Sequence, residues 1–212
     1  MKVVPERNEY LTTIFKLKES NKKVTNKALS KSLDIAPSSV TEMVKKLKKD
    51  GFLKDQKTIE LSQAGEEYAK DIVSKHRLWE YFLTENLKYN WEDVHEQAQL
   101  LQNVTSDKMF EDLNKFLGAP ETCPHGGIIY SNLKKSNDKI SLDEAKVGLE
   151  YTIQSIFDDK SLLTYINKIG LKIGDKIKVI EFNEIDDSVD ILINNKDNIN
   201  LSHRVSKDIF LI

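Results

Sequence analysis

The fold is decided by residues 25–51, TNKALSKSLDIAPSSVTEMVKKLKKDG. Thr25 is a good N-cap for a short helix over residues 26–33, and residues 34–36 leave room for only a tight turn. Pro37 fits the first position of a second helix, because the N–H that proline lacks would have no partner there. The closing glycine is expected to end that helix. A helix, a tight turn and a second helix form the helix-turn-helix pattern.

The flanking residues extend this pattern to a winged helix-turn-helix. Apolar residues at helical spacing predict a preceding helix over residues 8–19, and two short strands are predicted at residues 52–54 and 58–61. Residues 1–58 hold 14 Lys and Arg against 7 Asp and Glu, whereas the rest of the chain holds 18 against 27. A basic N-terminal part on a chain of net charge −2 indicates binding to a polyanion such as double-stranded DNA.

The second helix of the motif, residues 37–49, is predicted to be the recognition helix. Its first outward residues are short or polar, which suits contact with base edges, and the lysines that follow suit phosphates. A charged helix face that meets only solvent is the alternative interpretation. The residues predicted to contact DNA are Lys27, Pro37, Ser38, Ser39, Thr41, Glu42, Lys45 and Lys46.

A second group of residues predicts a metal site. Three of the four histidines and the only cysteine lie between His76 and His125. His76 and Glu80 share one face of a predicted helix, one turn apart, and can hold one divalent cation together. Cys123 and His125 add a thiolate and an imidazole from a loop bounded by Pro and Gly. Taken singly, these residues are as well explained by ordinary burial of His and Cys.

The middle of the chain predicts a dimerisation domain. Helices are predicted at residues 63–85, 91–103 and 106–117, with more apolar surface than one small neighbour covers. A two-fold homodimer would bury this surface and present two recognition helices to a palindromic operator. The apolar residues expected to be buried in the last two helices are Leu100, Leu101, Val104, Met109, Phe110, Leu113, Phe116 and Leu117.

The C-terminal part has a different pattern. Residues 131–149 are polar and predict a mobile linker, and the rest shows short strands with one helix at residues 161–168. The predicted architecture is therefore mainly α with a small β module. Its domains are a DNA-binding domain at 1–62, a helical metal-binding and dimerisation domain at 63–130, and a C-terminal domain at 150–212.

Composition excludes several other classes. No apolar run approaches the length of a membrane span, and the N-terminus lacks the apolar core of a signal peptide. The single cysteine fits a reducing cytoplasm. A metallohydrolase would need an open coordination position and a catalytic base, and no zinc-hydrolase motif, phosphate loop or nucleophile elbow is found. We therefore expect a cytoplasmic protein that is not an enzyme, with no small-molecule substrate and no membrane partner.

The motifs resemble those of the metal-dependent transcriptional repressors of the diphtheria-toxin-repressor and manganese-transport-regulator type. The matching segments are VTNK at 24–27, VTEMV at 40–44, HRL at 76–78, VHE at 94–96 and TCPHGG at 122–127. The resemblance implies an SH3-like (FeoA-like) C-terminal barrel, Mn(II) as the favoured cation and genes of metal uptake as targets. Cysteine and imidazole ligands would also accept Fe(II) or Zn(II).

The same resemblance implies the metal ligands. Glu80, Cys123 and His125 correspond to ligands of one site, and Asp158 corresponds to a carboxylate lent by the C-terminal domain. His76 and His95 also correspond to ligand positions. Asp158 has an alternative role as the N-cap of the helix predicted to begin at Ser161.

A second site of the family is altered here. Where the family has acid or thiol, acid and imidazole, this chain has Gln99, Gln102 and Asn103, and Thr12 replaces an acid near Glu9. Amides bring no charge to offset a dication. We predict that this site does not bind metal, and that a hydrogen-bonded network holds the N-terminal helix there instead. The alternative function is therefore a metal-independent DNA-binding regulator of the same fold.

Overall fold

The computed structural model describes residues 7–133 and 139–212. Its N-terminal domain packs three helices around one apolar core. Thr25 Oγ1 accepts a hydrogen bond from Ala28 N and caps the second helix, and Pro37 occupies the first turn of the third, as predicted. The helices are α1 (Arg7–Glu19), α2 (Asn26–Leu33) and α3 (Pro37–Lys49).

The wing is shorter than the two strands that the sequence predicts. Leu53 and Leu61 form a single antiparallel bridge, and Lys54 N donates to Glu60 O over 2.9 Å. The pairing is therefore confirmed, but no extended strand forms at residues 52–54 or 58–61 in the described chain. Polar residues at the turn bond to one another instead, as Thr58 does to Glu60.

A helical domain follows the wing. Ser62 caps α4 by accepting from Gly65 N, and a Cβ on Gly65 would lie 2.0 Å from Phe52 O, so only glycine lets this helix start against the wing. α5 begins at Val94 rather than Trp91, because residues 91–93 form a turn. The helices are α4 (Gln63–Glu85), α5 (Val94–Val104) and α6 (Asp107–Phe116).

The C-terminal domain is an antiparallel sheet around its own apolar core. In the described residues the sheet has the order β1-β6-β2-β3-β4-β5, and α7 packs Leu163 and Ile166 into the core. A one-turn helix near the C-terminus was not predicted. The elements are β1 (Ile140–Ser141), β2 (Glu150–Ile156), α7 (Lys160–Lys168), β3 (Lys176–Phe182), β4 (Val189–Ile193), β5 (Asp197–Leu201), α8 (His203–Ser206) and β6 (Ile209–Leu211).

The sheet begins inside the segment that was predicted to be a linker. β1 pairs with β6 through Ile140 and Leu211, and Leu142 is fully buried in the core. The prediction of a linker is therefore wrong from residue 140 onward, because two apolar residues in a polar stretch suffice to anchor it. Residues 134–138 of that predicted linker lie outside the described residues.

A bulge in β2 positions the loop that carries Cys123 and His125. The pairing of β2 with β6 shifts register between Ile153 and Ser155, and Ile156 N donates to His125 O over 3.0 Å. Gly126 has a φ of +76°, and a Cβ there would lie 2.0 Å from Gln154 O. The loop thus docks on the bulged strand, and glycine is required at the point of contact.

Several apolar side chains that were expected to be buried are exposed in the single chain. Phe110 is buried, but Leu100, Val104, Met109 and Phe116 of α5 and α6 are exposed. One protomer therefore does not bury these four side chains, and their burial still depends on the predicted dimer. Among the described helices, none has the length and apolarity that crossing a membrane requires.

Candidate metal centre

The structure brings all six predicted metal ligands together, in two sets that share Glu80. The first, called the His-Asp set, consists of His76, Glu80, His95 and Asp158. The second, called the Cys-His set, consists of Glu80, Cys123 and His125. Within each set, the donor atoms all lie within 4.8 Å of one another.

The His-Asp set joins α4, α5 and the segment between β2 and α7. His76 Nε2 lies 3.0 Å from Glu80 Oε1 and 3.2 Å from His95 Nδ1. His95 Nδ1 lies 2.9 Å from Asp158 Oδ2. A tetrahedral ion with bonds of about 2.0–2.2 Å keeps its ligand atoms about 3.3–3.6 Å apart. The donor set therefore fits one divalent cation after small adjustments.

The Cys-His set lies deeper in the molecule. His125 Nδ1 lies 3.5 Å from Glu80 Oε2 and 3.8 Å from Cys123 Sγ. His125 Nε2 lies 2.7 Å from the carbonyl oxygen of Trp91, and this bond fixes the tautomer that leaves Nδ1 free to bind a metal. All three ligands are buried. The distances between their donor atoms and the presence of a carboxylate, a thiol and an imidazole are compatible with one divalent cation.

Asp158 is not the helix cap that its alternative interpretation required. The N-cap of α7 is Asp159, whose Oδ1 accepts from Leu162 N over 3.0 Å. Asp158 instead turns inward to His95, with its carboxylate also 3.8 Å from His76 Nε2. Two adjacent aspartates divide the two roles between them.

The two carboxylates of the His-Asp set stay ionised at neutral pH. Burial and the charge of Asp158 raise the pKa of Glu80, but His76 and His125 hold it well below its usual value. Burial also raises the pKa of Asp158, and the Lys16 ammonium outweighs this effect and keeps that pKa well below its usual value. Both side chains therefore offer negative charge to a cation.

The surroundings of His95 and Cys123 favour the protonated form of both side chains in the metal-free chain. Burial lowers the pKa of His95, but the Asp158 carboxylate raises it to about 9. Burial and the charge of Glu80 raise the pKa of the Cys123 thiol. A cation that binds here displaces these protons, because only the deprotonated imidazole and thiolate are ligands.

Lys16 completes the surroundings of the centre and was not recognised from the sequence. Its Nζ lies 2.7 Å from Asp158 Oδ2 and connects α1 to the C-terminal domain. A cavity of about 200 Å³ lies at this junction, lined by Lys16, His76, His95, Gln99 and Asp158 among others. The cavity borders His76, His95 and Asp158, three of the four residues of the His-Asp set.

A second connection to α1 also escaped sequence reasoning. Arg77 donates to both carboxylate oxygens of Glu19, over 3.2 and 2.6 Å, and to Ile128 O over 2.8 Å. Tyr130 donates to the same carboxylate over 2.7 Å. These groups are far apart in sequence, so no spacing rule could have paired them. They tie the end of α1 to the loop that bears the Cys-His set.

The altered second site holds α1 to α5 through hydrogen bonds. Gln99 Nε2 donates to Glu9 Oε1 over 2.8 Å, and Asn8 Nδ2 donates to Asn103 Oδ1 over 3.2 Å. Thr12 bonds to the backbone of its own helix, and Gln102 is buried. The predicted network between the two helices is present in the structure.

Most residues predicted to contact DNA lie on the surface of the helix-turn-helix. Thr41 differs, because it is half-buried and accepts from Asn26 Nδ2 over 2.9 Å while it donates to Pro37 O over 3.0 Å. Because the Thr41 hydroxyl already makes hydrogen bonds to α2 and within α3, we do not expect it to contact a base. The exposed members are Lys27, Pro37, Ser38, Ser39, Glu42, Lys45 and Lys46.

Family models account for nearly the whole chain. The N-terminal DNA-binding domain of the iron-dependent repressors matches residues 2–59, and their metal-binding and dimerisation domain matches residues 62–131. The FeoA domain matches residues 140–212. The chain belongs to the iron-dependent repressor family. The C-terminal match begins at the first strand of the sheet, which supports the corrected start of that domain.

Solved structures agree with this assignment along the full length. A manganese-dependent transcriptional repressor in complex with manganese superposes with a TM-score of 0.89 at 27% identity, over 98% of this chain and 99% of the other. The repressor ScaR with bound Zn²⁺ superposes with a TM-score of 0.86 at 31% identity, with the same coverage of both chains. The predicted architecture is thereby confirmed.

Curated relatives match over a shorter stretch. The iron-dependent repressor IdeR of Mycobacterium tuberculosis is 31% identical over 122 residues, which cover 57% of this chain and 53% of IdeR. The matched part of this chain thus spans about half the length of that curated relative.

Proposed function

We propose that this chain is a metal-dependent transcriptional repressor that binds double-stranded DNA as a homodimer in the cytoplasm. Mn(II) is the proposed activating cation, genes of metal uptake are the proposed targets, and a palindromic operator is the proposed binding site. The observation that carries the proposal is the position of the metal-ligand residues. They lie where α1 of the DNA-binding domain meets both of the other domains.

The donor chemistry supports a divalent cation. Two carboxylates, two imidazoles and no thiolate make up the His-Asp set, and such ligands suit Mn(II) or Fe(II). The thiolate of Cys123 makes the other set softer and suits Fe(II) or Zn(II). When bound, the cation supplies positive charge that holds the three ligand-bearing segments together. Manganese in one similar structure and zinc in another are in line with this range.

In this proposal, thermodynamic coupling between metal binding and DNA binding switches the repressor on. We propose that the cation binds more tightly when α1 is placed for DNA binding. Metal binding then raises DNA affinity, and DNA binding raises metal affinity by the same factor. Lys16 and Glu19 both lie on α1, and they contact Asp158 and Arg77 next to the metal ligands. A cation that displaces Lys16 from Asp158 therefore changes the contact between α1 and the C-terminal domain, and through α1 it can reposition the recognition helix.

The test is fluorescence anisotropy of a labelled palindrome, taken from the gene's own upstream region or from a metal-transporter promoter. Protein is titrated first with EDTA and then with Mn(II), Fe(II) or Zn(II). We expect one metal to raise affinity by roughly 5- to 150-fold, the usual range of allosteric coupling. Equal affinity in EDTA and in every metal would overturn the metal switch.

The DNA-binding surface is tested in the same assay. Lys46→Ala should weaken binding to every DNA and lower the salt slope by about 0.9 for each lost phosphate contact. The matched control is Lys168→Ala, which removes an exposed lysine from the C-terminal domain and should leave binding unchanged. Equal effects of the two variants would contradict the assignment of the recognition helix.

One observation favours a second candidate, a DNA-binding regulator that needs no metal. Gln99 and Glu9 already join α1 to α5 by a hydrogen bond. If this bond holds the DNA-binding domain in place, the operator is bound tightly in EDTA as well. The anisotropy titration separates the two candidates directly.

A further inference from the structure

A wide cleft lies between the helix-turn-helix and the C-terminal domain. Its volume is about 810 Å³, which is within the range of pockets that hold small organic ligands. Residues of α1, α2 and the turn between them form one wall, and residues of α7, α8 and their neighbours form the other. Ligand pockets are common at such boundaries between domains. The cleft is therefore large enough, and suitably placed, to hold a small molecule.

Both walls of the cleft carry apolar surface. Leu17 and Ala28 line it from the DNA-binding domain, and Phe157, Leu162 and Val205 line it from the C-terminal domain. Leu17 and Leu162 are buried, and the other three are half-buried. Because removal of apolar surface from water favours binding, this lining suits a ligand with an apolar body better than it suits a bare inorganic ion.

The acidic side chains of the cleft already have partners within the fold. Asp208 Oδ1 lies 2.6 Å from Lys22 Nζ. Asp159 caps α7 by accepting from Leu162 N over 3.0 Å, and it also accepts from Ser161 Oγ. Both carboxylates are therefore occupied, and so is the ammonium group of Lys22. A cationic ligand would have to displace one of these contacts.

Three further cationic side chains line the cleft and have no such partner. Lys31 comes from α2, Arg204 comes from α8, and Lys207 follows α8. All three residues are exposed, and within the described part of the chain none of them makes a side-chain hydrogen bond or ion pair. A guanidinium group can hold a carboxylate or sulfonate through two parallel hydrogen bonds. The cleft thus offers positive charge from both walls to an anionic group.

We propose that this cleft binds a small organic anion with an aromatic or aliphatic body, such as an aromatic carboxylate. The apolar lining of both walls holds the body of the ligand, and Lys31, Arg204 and Lys207 hold its anionic group. The anion is bound unchanged, so the site adds no enzymatic activity. Binding requires neither metal nor DNA, and it is therefore measured independently of the proposed repressor function.

Calorimetric titration of the full-length chain in EDTA tests the site with matched probes. The anion 1-naphthoate and the neutral 1-naphthalenemethanol share one ring system and differ in charge, and octanoate is an anion with an aliphatic body. We expect 1-naphthoate to bind with a dissociation constant below about 1 mM, as is usual for a ligand of this size. The neutral alcohol should bind at least about tenfold more weakly. Failure of both anions to bind, or equal affinity for the alcohol, would overturn the proposal.

Substitutions on each wall locate the anion. Arg204→Gln and Lys31→Gln each remove one exposed cation, and each should raise the dissociation constant of 1-naphthoate at least about fivefold, because a charge-assisted hydrogen bond is lost. Lys168→Gln is the matched control, since Lys168 is an exposed lysine of α7 that does not line the cleft. At about 0.15 M salt, which screens distant charges, this control should stay within about twofold of the wild type. Equal effects of all three substitutions, or no effect in either cleft variant, would place the anion elsewhere.

Other uses of the same cations give different results. If they bind any simple anion, inorganic phosphate displaces 1-naphthoate as effectively as octanoate does. If they contact the DNA backbone instead, Arg204→Gln lowers the affinity for double-stranded DNA and leaves 1-naphthoate binding unchanged. Either result would refute the organic-anion site. Thermal unfolding followed by circular dichroism verifies that each variant is folded, and the exposed positions of Lys31 and Arg204 keep the substitutions away from the core.

Discussion

Lys16 and Asp158 form an ion pair of 2.7 Å that joins the first helix to the C-terminal domain. The same oxygen of Asp158 lies 2.9 Å from His95 Nδ1. The Lys16 side chain is 17% exposed, so solvent screens its charge only in part. The Lys16 ammonium group therefore lies at the edge of the His-Asp set, where it competes with a divalent metal ion for Asp158.

Lys16→Met is expected to tighten metal binding. The substitution keeps an unbranched side chain that is one atom shorter, and it removes a positive charge beside the site. Two unit charges about 4 Å apart repel by about 4 kcal/mol at an effective dielectric constant of about 20, and about 1.4 kcal/mol corresponds to a factor of ten. We expect Mn(II) affinity to rise by at least about tenfold, measured by calorimetric titration.

The matched control for this prediction is Lys18→Met. Lys18 lies on the same helix, is 60% exposed and pairs with Glu66 at the surface. The substitution makes the same change in net charge away from the metal ligands, and metal affinity should stay within about twofold of the wild type, since surface charges are well screened. An equal gain in both variants would mean that only net charge matters.

Glu19→Gln is expected to destabilise the metal-free fold. The substitution leaves the Arg77 guanidinium buried without its anionic partner, and breaking such a pair typically costs about 3–5 kcal/mol. Urea unfolding in EDTA measures the loss. Glu66→Gln is the control, because its ion pair with Lys18 is exposed and should contribute less than about 1 kcal/mol. Similar losses of unfolding free energy in the two variants would show that the buried ion pair of Glu19 contributes no more than the exposed pair of Glu66.

The contribution of Glu19 should depend on pH with a defined sign. Burial raises the pKa of Glu19, but Arg77 lowers it to about 2 from an ordinary value of 4.5. A lowered pKa means that the stabilisation is fully present above pH 4.5 and is lost as pH falls toward 2. The gap in unfolding free energy between wild type and Glu19→Gln should therefore shrink between pH 6 and pH 3. A gap that does not change over this range would contradict the assigned pKa.

Sequence periodicity predicted most of the helices, because their apolar residues face a core at regular spacing. The caps at Thr25 and Pro37 also follow local rules. The candidate metal centre was partly predictable for the same reason, since His76 and Glu80 lie one turn apart on one helix. What joins the segments was not predictable, because the contacts of Lys16 and Glu19 span 142 and 58 residues.

Two positions show where local rules cannot decide. Asp158 and Asp159 are adjacent and chemically identical, so the sequence could not decide which one caps α7 and which one faces His95. The short strand at Ile140 was taken for linker because polar neighbours outnumber the half-buried Ile140 and the buried Leu142 that anchor this segment. In both cases the deciding contact comes from another element, β6 for Ile140 and α5 for Asp158.

Gln99→Leu is expected to loosen α1. The substitution removes the donor that Glu9 accepts from, and an unpaired, half-buried carboxylate costs about 1–3 kcal/mol. Amide hydrogen exchange in residues 7–19 should become faster. Gln97→Leu, at an exposed position of the same helix, should leave exchange unchanged. Unaltered exchange in the Gln99 variant would mean that packing alone holds α1.

The exposed apolar residues of α5 lead to a last prediction. Leu100 and Val104 lie one turn apart on one face, and they are 67% and 76% exposed in the single chain. If a second copy covers this face, replacing both by Asp removes about 1.5–3 kcal/mol for each side chain and each protomer. The dimer dissociation constant, measured by light scattering and sedimentation, should rise by at least about 100-fold.

The control for the dimer is Ile185→Asp. Ile185 is 95% exposed in the C-terminal domain, so its substitution adds the same kind of charge away from α5. This variant should remain dimeric, and both proteins should stay folded, because none of the three side chains supports the core of one protomer. A dimer that survives Leu100→Asp with Val104→Asp places the interface elsewhere, and it leaves the exposure of α5 to be explained by another partner.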